Sequence, residues 1–187
     1  MANIVAVIPA RAGSKRLPGK NHALFFGKPL IVWTIEAAQG CGSIQRIVVS
    51  TDDPVVMELG YQAGCEIHRR DPVDAGDAAE FPPLIPDIVG SGVAVLLQPT
   101  SPLRTSEDIE AGLKLYEYGR SVVSVVKLNP YTLMLNGAVY IAHIDLLREY
   151  RDFANPIYFP MPKERSIDID TAEDWKMAEA LARYNAL

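Results

Sequence analysis

The chain has 187 residues, 49% of them hydrophobic, and a formal net charge of −5 at pH 7. This length suffices for a substantial core, so we predict one domain over residues 1–187 that needs no disulfide support. The acidic balance argues against a broad cationic surface, and we expect no nucleic-acid partner. Cys41 and Cys65 form no C-x-x-C pattern, which argues against a zinc site and favours buried thiols in a reducing cytoplasm.

Short apolar runs rich in β-branched residues recur along the chain and are typical of strands covered on both faces. The predicted strands cover residues 4–10, Arg46–Thr51, 93–99 and 121–127. Helical patterns lie between them at Leu30–Gln39, 54–64 and 106–118. This alternation predicts a mostly parallel sheet in a three-layer α/β domain.

Signals at the helix starts support this assignment, because Asp53 precedes Pro54 as an N-cap and Thr105 with Asp108 resembles a capping box. The pattern changes after residue 127. We expect a strand near residues 138–142, a short helix over Ile144–Tyr150 and an amphipathic helix over residues 170–184. Three prolines allow at most a short or irregular helix over residues 81–89. The first apolar run is too short to cross a bilayer, so we expect no membrane partner.

The stretch "VIPARAGSKRLPGKN", residues 7–21, begins as a strand and continues as a loop rich in glycine and positive charge. Glycines allow backbone N–H groups to converge on a ligand, and the cationic side chains favour a polyanion such as a nucleotide triphosphate. The cations are Arg11, Lys15, Arg16 and Lys20. The spacing of Gly13 and Gly19 matches neither the P-loop nor the dinucleotide fingerprint. The alternative is a solvated surface turn with a chance cluster of basic residues.

Two carboxylates occur in "SIDIDT", just before the last predicted helix. Asp168 and Asp170 are two apart in an extended segment and project to the same side, where they repel one another unless a cation lies between them. Mg²⁺ is commonly held by one or two carboxylates together with substrate phosphates, so the pair predicts a magnesium site. The flanking isoleucines indicate a buried strand. The alternative makes Asp170 a helix-end carboxylate and Asp168 a surface acid.

The segment "LLQPTSPLRT" ends a predicted strand with an amide and hydroxyl groups. Gln98 can donate and accept hydrogen bonds, which suits a hydroxyl-rich or carboxylate-bearing ligand, and Thr100 and Ser101 add hydroxyls beside it. Two prolines stiffen the turn. A purely structural turn between strand and helix is the alternative.

Six motifs together resemble the acylneuraminate cytidylyltransferases, or CMP-sialic acid synthetases, in the same order and over nearly the whole chain. They are "IPARAGSKRLPGKN", "KPLIVWTIEAA", "VVSTDD", "LLQPTSPLRT", "NGAVYI" and "MPKERSIDIDTAEDW". The related CMP-Kdo synthetases share the first loop, but Asn21 and "QPTSPLR" favour the sialic-acid branch. The resemblance implies a nucleotide-diphospho-sugar transferase-like, Rossmann-like fold that joins CMP from CTP to a 2-keto acid sugar.

The resemblance also assigns roles to individual residues. Residues expected to bind the nucleotide are Ala10, Arg11, Gly13, Ser14, Lys15, Lys20, Asn21 and Arg70. Residues expected to bind the sugar are Gln98, Thr100 and Ser101, and catalytic roles fall to Arg11, Lys20 and Gln98. Mg²⁺, the implied cofactor, is expected at Asp168 and Asp170.

The chain departs from the family in the segment before "NGAVYI". Members usually carry an arm of a few dozen residues there that dimerises and covers the sugar, whereas "NPYTLML" here runs directly into the motif and Thr132 replaces the expected cation. "GDAAEF" also lacks the serine expected near Glu80 or Phe81. A homodimer is possible without the arm, but a second hypothesis arises: a catalytically weak nucleotide-binding partner in glycan assembly.

Another segment could compensate for the missing arm. Residues 150–165 carry three cations and two aromatic side chains, enough to meet a carboxylate and cover a sugar ring. They are Arg151, Lys163, Arg165, Tyr158 and Phe159. We therefore predict that Lys163 or Arg165 takes part in recognition of the acid sugar or pyrophosphate, with a purely structural role as the alternative.

Overall fold

The computed structural model describes residues 3–71, 81–150 and 152–185. The strands are β1 Ile4–Pro9, β2 Leu24–Phe25, β3 Lys28–Pro29, β4 Arg46–Thr51, β5 Glu66–Arg69, β6 Val93–Leu96, β7 Ser121–Asn129, β8 Thr132–His143 and β9 Pro156–Met161. The helices are α1 Leu30–Gln39, α2 Pro54–Gln62, α3 Ile85–Val89, α4 Ser106–Lys114, α5 Ile144–Tyr150 and α6 Ala172–Asn185. Short 3₁₀ turns lie at Lys20–His22, Pro82–Leu84 and Lys163–Arg165.

Seven strands form one sheet in the order β5-β4-β1-β6-β8-β7-β9, and β2 pairs with β3 as a separate small hairpin. In the large sheet, β8 is antiparallel to both neighbours, and all other pairs are parallel. The predicted mostly parallel α/β fold is therefore confirmed. β1 lies between β4 and β6, so the loop that follows it emerges near the middle of the sheet edge.

Helices cover both faces of the sheet, as alternation along β1 shows. Ala6 and Ile8 pack into the core that includes residues of α1, α2 and α4. Val5 and Val7 face the opposite core, with residues of α3 and α5. All four side chains are fully buried, and burial of each larger one is worth about 1.5–3 kcal/mol. The three-layer arrangement follows from this continuous apolar run.

A third apolar cluster lies outside the two faces and supports the end of the sheet where the predicted site lies. Phe25 of the small hairpin, Leu30 of α1 and Ile169 pack with Ala178 and Ala182 of α6. The rings of Trp33 and Trp175 both meet Phe25 edge to face. The segment that carries Asp168 and Asp170 is thereby held against the rest of the domain.

The structure differs from the predictions at several points. The helix predicted over residues 106–118 ends at Lys114, and the strand predicted near residues 138–142 is the longer Thr132–His143. The extended segment around Ile169 forms no strand; instead the Ile169 N–H donates to the Thr100 carbonyl, 2.8 Å away. The strands β5 and β9 were missed, because each lies at an edge of the sheet, where polar residues and prolines are tolerated. Both caps predicted above are present: Asp53 accepts from the N–H groups of Val55 and Val56, and Thr105 with Asp108 forms a reciprocal pair. Thr171 with Asp174 forms a further reciprocal pair at the start of α6.

Candidate active site

A cavity of about 480 Å³ opens beyond the carboxyl ends of β1 and β6. Open parallel sheets bind ligands at this edge. Five segments contribute to its wall: the loop after β1, Arg70 after β5, Phe81 before the 3₁₀ turn Pro82–Leu84, the turn after β6 and Asp170 before α6. The structure brings nine of the predicted residues together here: Arg11, Ser14, Lys15, Lys20, Asn21, Arg70, Gln98, Thr100 and Asp170.

The basic loop after β1 is held by its own chain and by the end of β4. The Ala12 N–H donates to Asp52 Oδ1 at 2.8 Å, and the Thr51 hydroxyl donates to the Ala10 carbonyl. Asn21 Nδ2 donates to the Arg11 carbonyl at 3.1 Å. Asn21, predicted to bind the nucleotide, therefore lines the cavity and also fixes the loop backbone. These contacts set the loop conformation before any ligand binds.

Lys20 connects the basic loop to the acidic segment. Its ammonium group is buried and donates to the Ile169 carbonyl at 2.6 Å and to Asp170 Oδ1 at 3.4 Å. Arg16 reaches the other oxygen, Asp170 Oδ2, at 3.1 Å. Asp170 nevertheless keeps 47% of its side chain exposed, so its carboxylate remains accessible from the cavity.

Asp168 lies next to this pair but has a different environment. The residue is exposed, as expected for the surface acid that was the alternative interpretation of Asp168. Its side chain hydrogen-bonds to Thr100, and partial desolvation of the carboxyl group raises its pKa, an effect that the hydrogen bond opposes and the charge of Asp170 reinforces. Its Oδ2 also lies close to Gly137 of β8. Asp168 is not itself part of the cavity wall, but together with Asp170, two positions along the chain, it forms a carboxylate pair of the kind that suits a hard cation.

Arg70 also lines the cavity and is almost completely buried. Its Nε donates to the Ser50 hydroxyl at 3.1 Å, and its guanidinium lies 4.4 Å from the centre of the Phe81 ring. The Ser50 hydroxyl in turn contacts His68 Nδ1 at 2.9 Å. A planar cation stacked on an aromatic ring offers a surface for a nucleobase or a phosphate.

Arg104 organises the turn that carries Gln98. Its guanidinium donates to the carbonyls of Gln98 and Ala138, at 3.2 and 2.8 Å, and to the Thr34 hydroxyl at 2.7 Å. Its Nε has no hydrogen-bond partner among the described residues. Burial lowers the pKa of Arg104 to about 9, and the charge of Asp108 opposes this shift. The turn, α1 and β8 are thus joined through one buried side chain.

Several predicted residues lie elsewhere. Ser101 is fully buried and donates to the Asn136 carbonyl, so it supports the turn and does not line the cavity. Ala10 is buried under the loop, and Gly13 also lies outside the cavity wall. Lys163 is exposed in a 3₁₀ turn away from the cavity wall.

Arg165 has a partner that sequence reasoning did not supply. Its Nε and one terminal nitrogen both donate to the Asp108 carboxylate at 2.8 Å. Asp108 is buried and also closes the capping box of α4. This geometry places Arg165 in the structural role that was the alternative for it, not in the cavity wall. Arg151, to which a compensating role was assigned, lies outside the described residues, and so does Glu80, near which the family serine was expected.

The cavity also includes residues that were not assigned to it. They are Pro9, Arg16, Phe81 and Pro99. Arg16 was counted among the loop cations, and its position between the glycines was the available signal. Nothing in the sequence marked Phe81, because its role arises from stacking on Arg70 across the fold.

The cytidylyltransferase family model matches residues 5–133, well over half of the chain, and the chain belongs to this family. The predicted nucleotidyltransferase class is thereby confirmed.

Curated relatives extend the similarity over most of the chain. The CMP-N,N'-diacetyllegionaminic acid synthase of Legionella pneumophila is 35% identical over 225 aligned positions, which cover 97% of each protein. This alignment is longer than the 187-residue chain, so the relative carries segments without a counterpart here. The N-acylneuraminate cytidylyltransferase of Streptococcus agalactiae serotype V is 30% identical over 91% of this chain. The chain spans about half the length, 51%, of that relative.

Solved structures agree with the fold. A CMP:2-keto-3-deoxy-manno-octonic acid synthetase complexed with CTP superposes with a TM-score of 0.78 and 19% identity, over 98% of this chain and 100% of that one. A nucleotidyl transferase from Methanothermobacter thermautotroptrophicus gives 0.75 and 17%, over 98% and 99%. Within the described residues, no helix is long and apolar enough to cross a lipid bilayer.

Proposed function

We propose that this chain is an Mg²⁺-dependent cytidylyltransferase that joins CMP from CTP to a nonulosonic acid and releases pyrophosphate. The observation that carries the proposal is the contact of Lys20 with Asp170, because it unites a cationic, glycine-containing loop and a carboxylate segment in one cavity. The relatives named for legionaminic and acylneuraminic acids support a nonulosonic acid as the acceptor.

The residues present fit a magnesium ion. In the described parts of the chain, no group of three or more His, Cys, Asp or Glu side chains could enclose a metal, so Asp168 and Asp170 would hold it together with ligand oxygens, as Mg²⁺ prefers. Gly137 adds no side chain of its own beside Asp168 Oδ2, where the Gln98 amide also lies. When bound, Mg²⁺ would neutralise charge on phosphate oxygens.

The protein's own groups would mainly position the reactants and neutralise charge. Arg11, Lys15 and Lys20 would bind the triphosphate, and Arg70 with Phe81 would also contact the nucleotide. In the reaction, the anomeric hydroxyl oxygen bonds to the α-phosphorus, the bond from that phosphorus to the bridging oxygen breaks, and pyrophosphate leaves. The hydroxyl proton is released.

Gln98 and Thr100 line the cavity near the carboxylates and would orient the sugar. The acceptor class contains sialic, legionaminic and pseudaminic acids, and Kdo is the nearest alternative. We place the reaction in the cytoplasm, since Cys41 and Cys65 are both buried free thiols, as expected in a reducing compartment.

A second candidate function rests on the β7–β8 hairpin. Only Pro130 and Tyr131 separate the two strands, at the point where the family's arm was expected. Without a cover for the sugar, the chain could bind CTP and act as a weakly catalytic partner of another enzyme, as a monomer or a homodimer.

A pyrophosphate-release assay separates these functions. Purified protein, CTP and Mg²⁺ are incubated with sialic, legionaminic, pseudaminic or Kdo acid, and mass spectrometry identifies the product. We expect pyrophosphate and a CMP-sugar with at least one nonulosonic acid, and none without sugar. CTP binding by calorimetry without product from any acid would favour the partner protein. Product from Kdo alone would contradict the proposed acceptor.

A further inference from the structure

Gly137 of β8 lies between two groups of the candidate active site. Its φ is +72°, and a Cβ built on it would lie 2.8 Å from Gln98 Oε1. The same Cβ would lie 3.3 Å from Asp168 Oδ2 and 3.5 Å from its Cγ. The first distance is shorter than real Cβ contacts, so any side chain here must displace the Gln98 amide.

The backbone at this point cannot easily move aside, because the preceding residue is buried and fully engaged. Asn136 Oδ1 accepts from the Ser124 hydroxyl at 2.6 Å and from the Ala138 N–H at 3.2 Å. Its Nδ2 donates to the Ser166 hydroxyl at 3.0 Å. This network joins β7, β8 and the segment before Asp168, so a side chain at Gly137 would push Gln98 and Asp168 and not the strand.

We propose that Gly137 is a positioning residue: its missing side chain allows the Gln98 amide and the Asp168 carboxylate to face one shared gap. The sugar-orienting group and one metal-binding group are thereby held in a fixed relation. This inference rests on the proposed function for the roles of Gln98 and Asp168. The closeness of Gly137 to the Gln98 and Asp168 side chains does not depend on those roles.

Positive φ by itself also favours a glycine, and the chain offers a control that separates this effect from the contacts. Gly64 has φ +75°, almost the same value, but no atom of the described residues lies within 4 Å of the point that a Cβ would occupy there. It precedes β5, at the end of the sheet opposite the cavity. Gly64→Ala therefore carries the same backbone strain without the contacts to Gln98 and Asp168.

The experiment compares Gly137→Ala with Gly64→Ala. We expect similar losses of melting temperature, but only Gly137→Ala should shift the side-chain amide NMR signals of Gln98, identified by their absence in Gln98→Ala. Only Gly137→Ala should raise the KM for the acid sugar, by about tenfold, the loss of roughly one hydrogen bond. The KM for CTP should change less. Gly137→Asn, which tolerates positive φ better, replaces the alanine variant if that variant does not fold.

Equal Gln98 signals and equal sugar KM values in the two alanine variants would overturn the inference. The NMR comparison needs neither CTP nor sugar, so it tests the contact between position 137 and Gln98 even if the wild-type protein forms no CMP-sugar. That last result would contradict the proposed function alone. A Gln98 shift with unchanged sugar KM would contradict the positioning role while confirming the contact.

Discussion

The two halves of the large sheet differ in how completely their loops are fixed. Beyond β5-β4-β1, the basic loop is tied to Thr51 and Asp52, and Arg70 rests on Ser50 and Phe81. Beyond β8-β7, the hairpin ends in exposed apolar side chains. These side chains are Leu128, Tyr131, Leu133, Met134 and Leu135. The half assigned to the nucleotide is organised by the chain itself, whereas the hairpin half leaves its tip uncovered.

The binding site is therefore preorganised to a greater degree for CTP than for the sugar. A fixed loop binds its ligand without an ordering cost, so CTP affinity should depend on single contacts. The sugar side depends on Gln98, Thr100 and whatever covers the hairpin. Substitutions on the nucleotide side should therefore have the larger effects.

The largest effect is expected at the carboxylates. Asp170→Asn should lower the rate of transfer by about a hundredfold or more, because it removes one charge that would hold the metal against the phosphates. Removal of divalent ions with EDTA should have the same effect, and Mg²⁺ should restore the wild type. The control is Glu173→Gln, an exposed acid in the first turn of α6. Unchanged turnover of Asp170→Asn at saturating Mg²⁺ would exclude Asp170 as a ligand.

Lys20→Ala tests the nucleotide half directly. The buried ammonium lines the cavity, and its loss should weaken CTP binding by about 1.5–3 kcal/mol, the worth of a hydrogen bond to a charged group. Isothermal titration calorimetry measures the CTP affinity. The control is Lys114→Ala, which removes an exposed lysine of α4. Equal CTP affinity in wild type and Lys20→Ala would place Lys20 outside the binding site.

Arg165→Ala should affect stability more than activity. It leaves the buried Asp108 without its bidentate partner, so the free energy of unfolding should fall by about 1–3 kcal/mol, less than for a fully buried pair because Arg165 is partly exposed. Lys163→Ala, two residues away and exposed, should change it by less than about 0.5 kcal/mol. Urea unfolding measures both. A raised sugar KM with unchanged stability would instead support sugar recognition by Arg165.

These residues show what sequence can and cannot predict. The centre of the sheet was predictable, since buried parallel strands are continuous apolar runs, and Arg46–Thr51 and Leu30–Gln39 were predicted with their observed bounds. The edge strands were not: β9 contains prolines that are compatible with pairing on one side only.

The residues of the candidate active site also fall into a group that sequence could predict and a group that it could not. Arg11, Lys15 and Lys20 lie in one short motif, so local charge and glycine content pointed to them, and the family resemblance added Ser14. The pairing of Arg165 with Asp108 spans 57 positions, and no local pattern encodes it. Residues whose role depends on tertiary contacts are thus the ones that sequence missed or misassigned.

Asp168→Asn should raise the stability of the metal-free protein slightly at neutral pH. Desolvation holds the pKa of Asp168 above its ordinary value, so the ionised carboxyl opposes folding at pH values above the raised pKa. This destabilisation by the ionised carboxyl group disappears as the pH falls through the pKa of Asp168 in the folded protein toward its pKa in the unfolded chain. The higher stability of Asp168→Asn should disappear over the same pH range. Melting curves from about pH 7 to about pH 3.5, which span the usual range of carboxyl titration, measure this. A melting temperature of Asp168→Asn below that of the wild type at neutral pH would show that the ionised Asp168 carboxyl group does not oppose folding.

The smallest effect on stability is expected at the hairpin tip. Leu133 and Leu135 are 47% and 54% exposed, so Leu133→Ser with Leu135→Ser should change the free energy of unfolding of the monomer by less than about 0.5 kcal/mol per site. If the uncovered tip is the contact of a homodimer, the double variant should nevertheless shift sedimentation from dimer to monomer, because exposed apolar clusters commonly mark interaction surfaces. Tyr61→Ser, an exposed aromatic of α2, is the control. If the wild-type protein sediments as a monomer at all concentrations, the hairpin tip forms no homodimer contact. Its apolar side chains would then remain exposed in solution, unlike the loops of the nucleotide half, which the chain itself fixes.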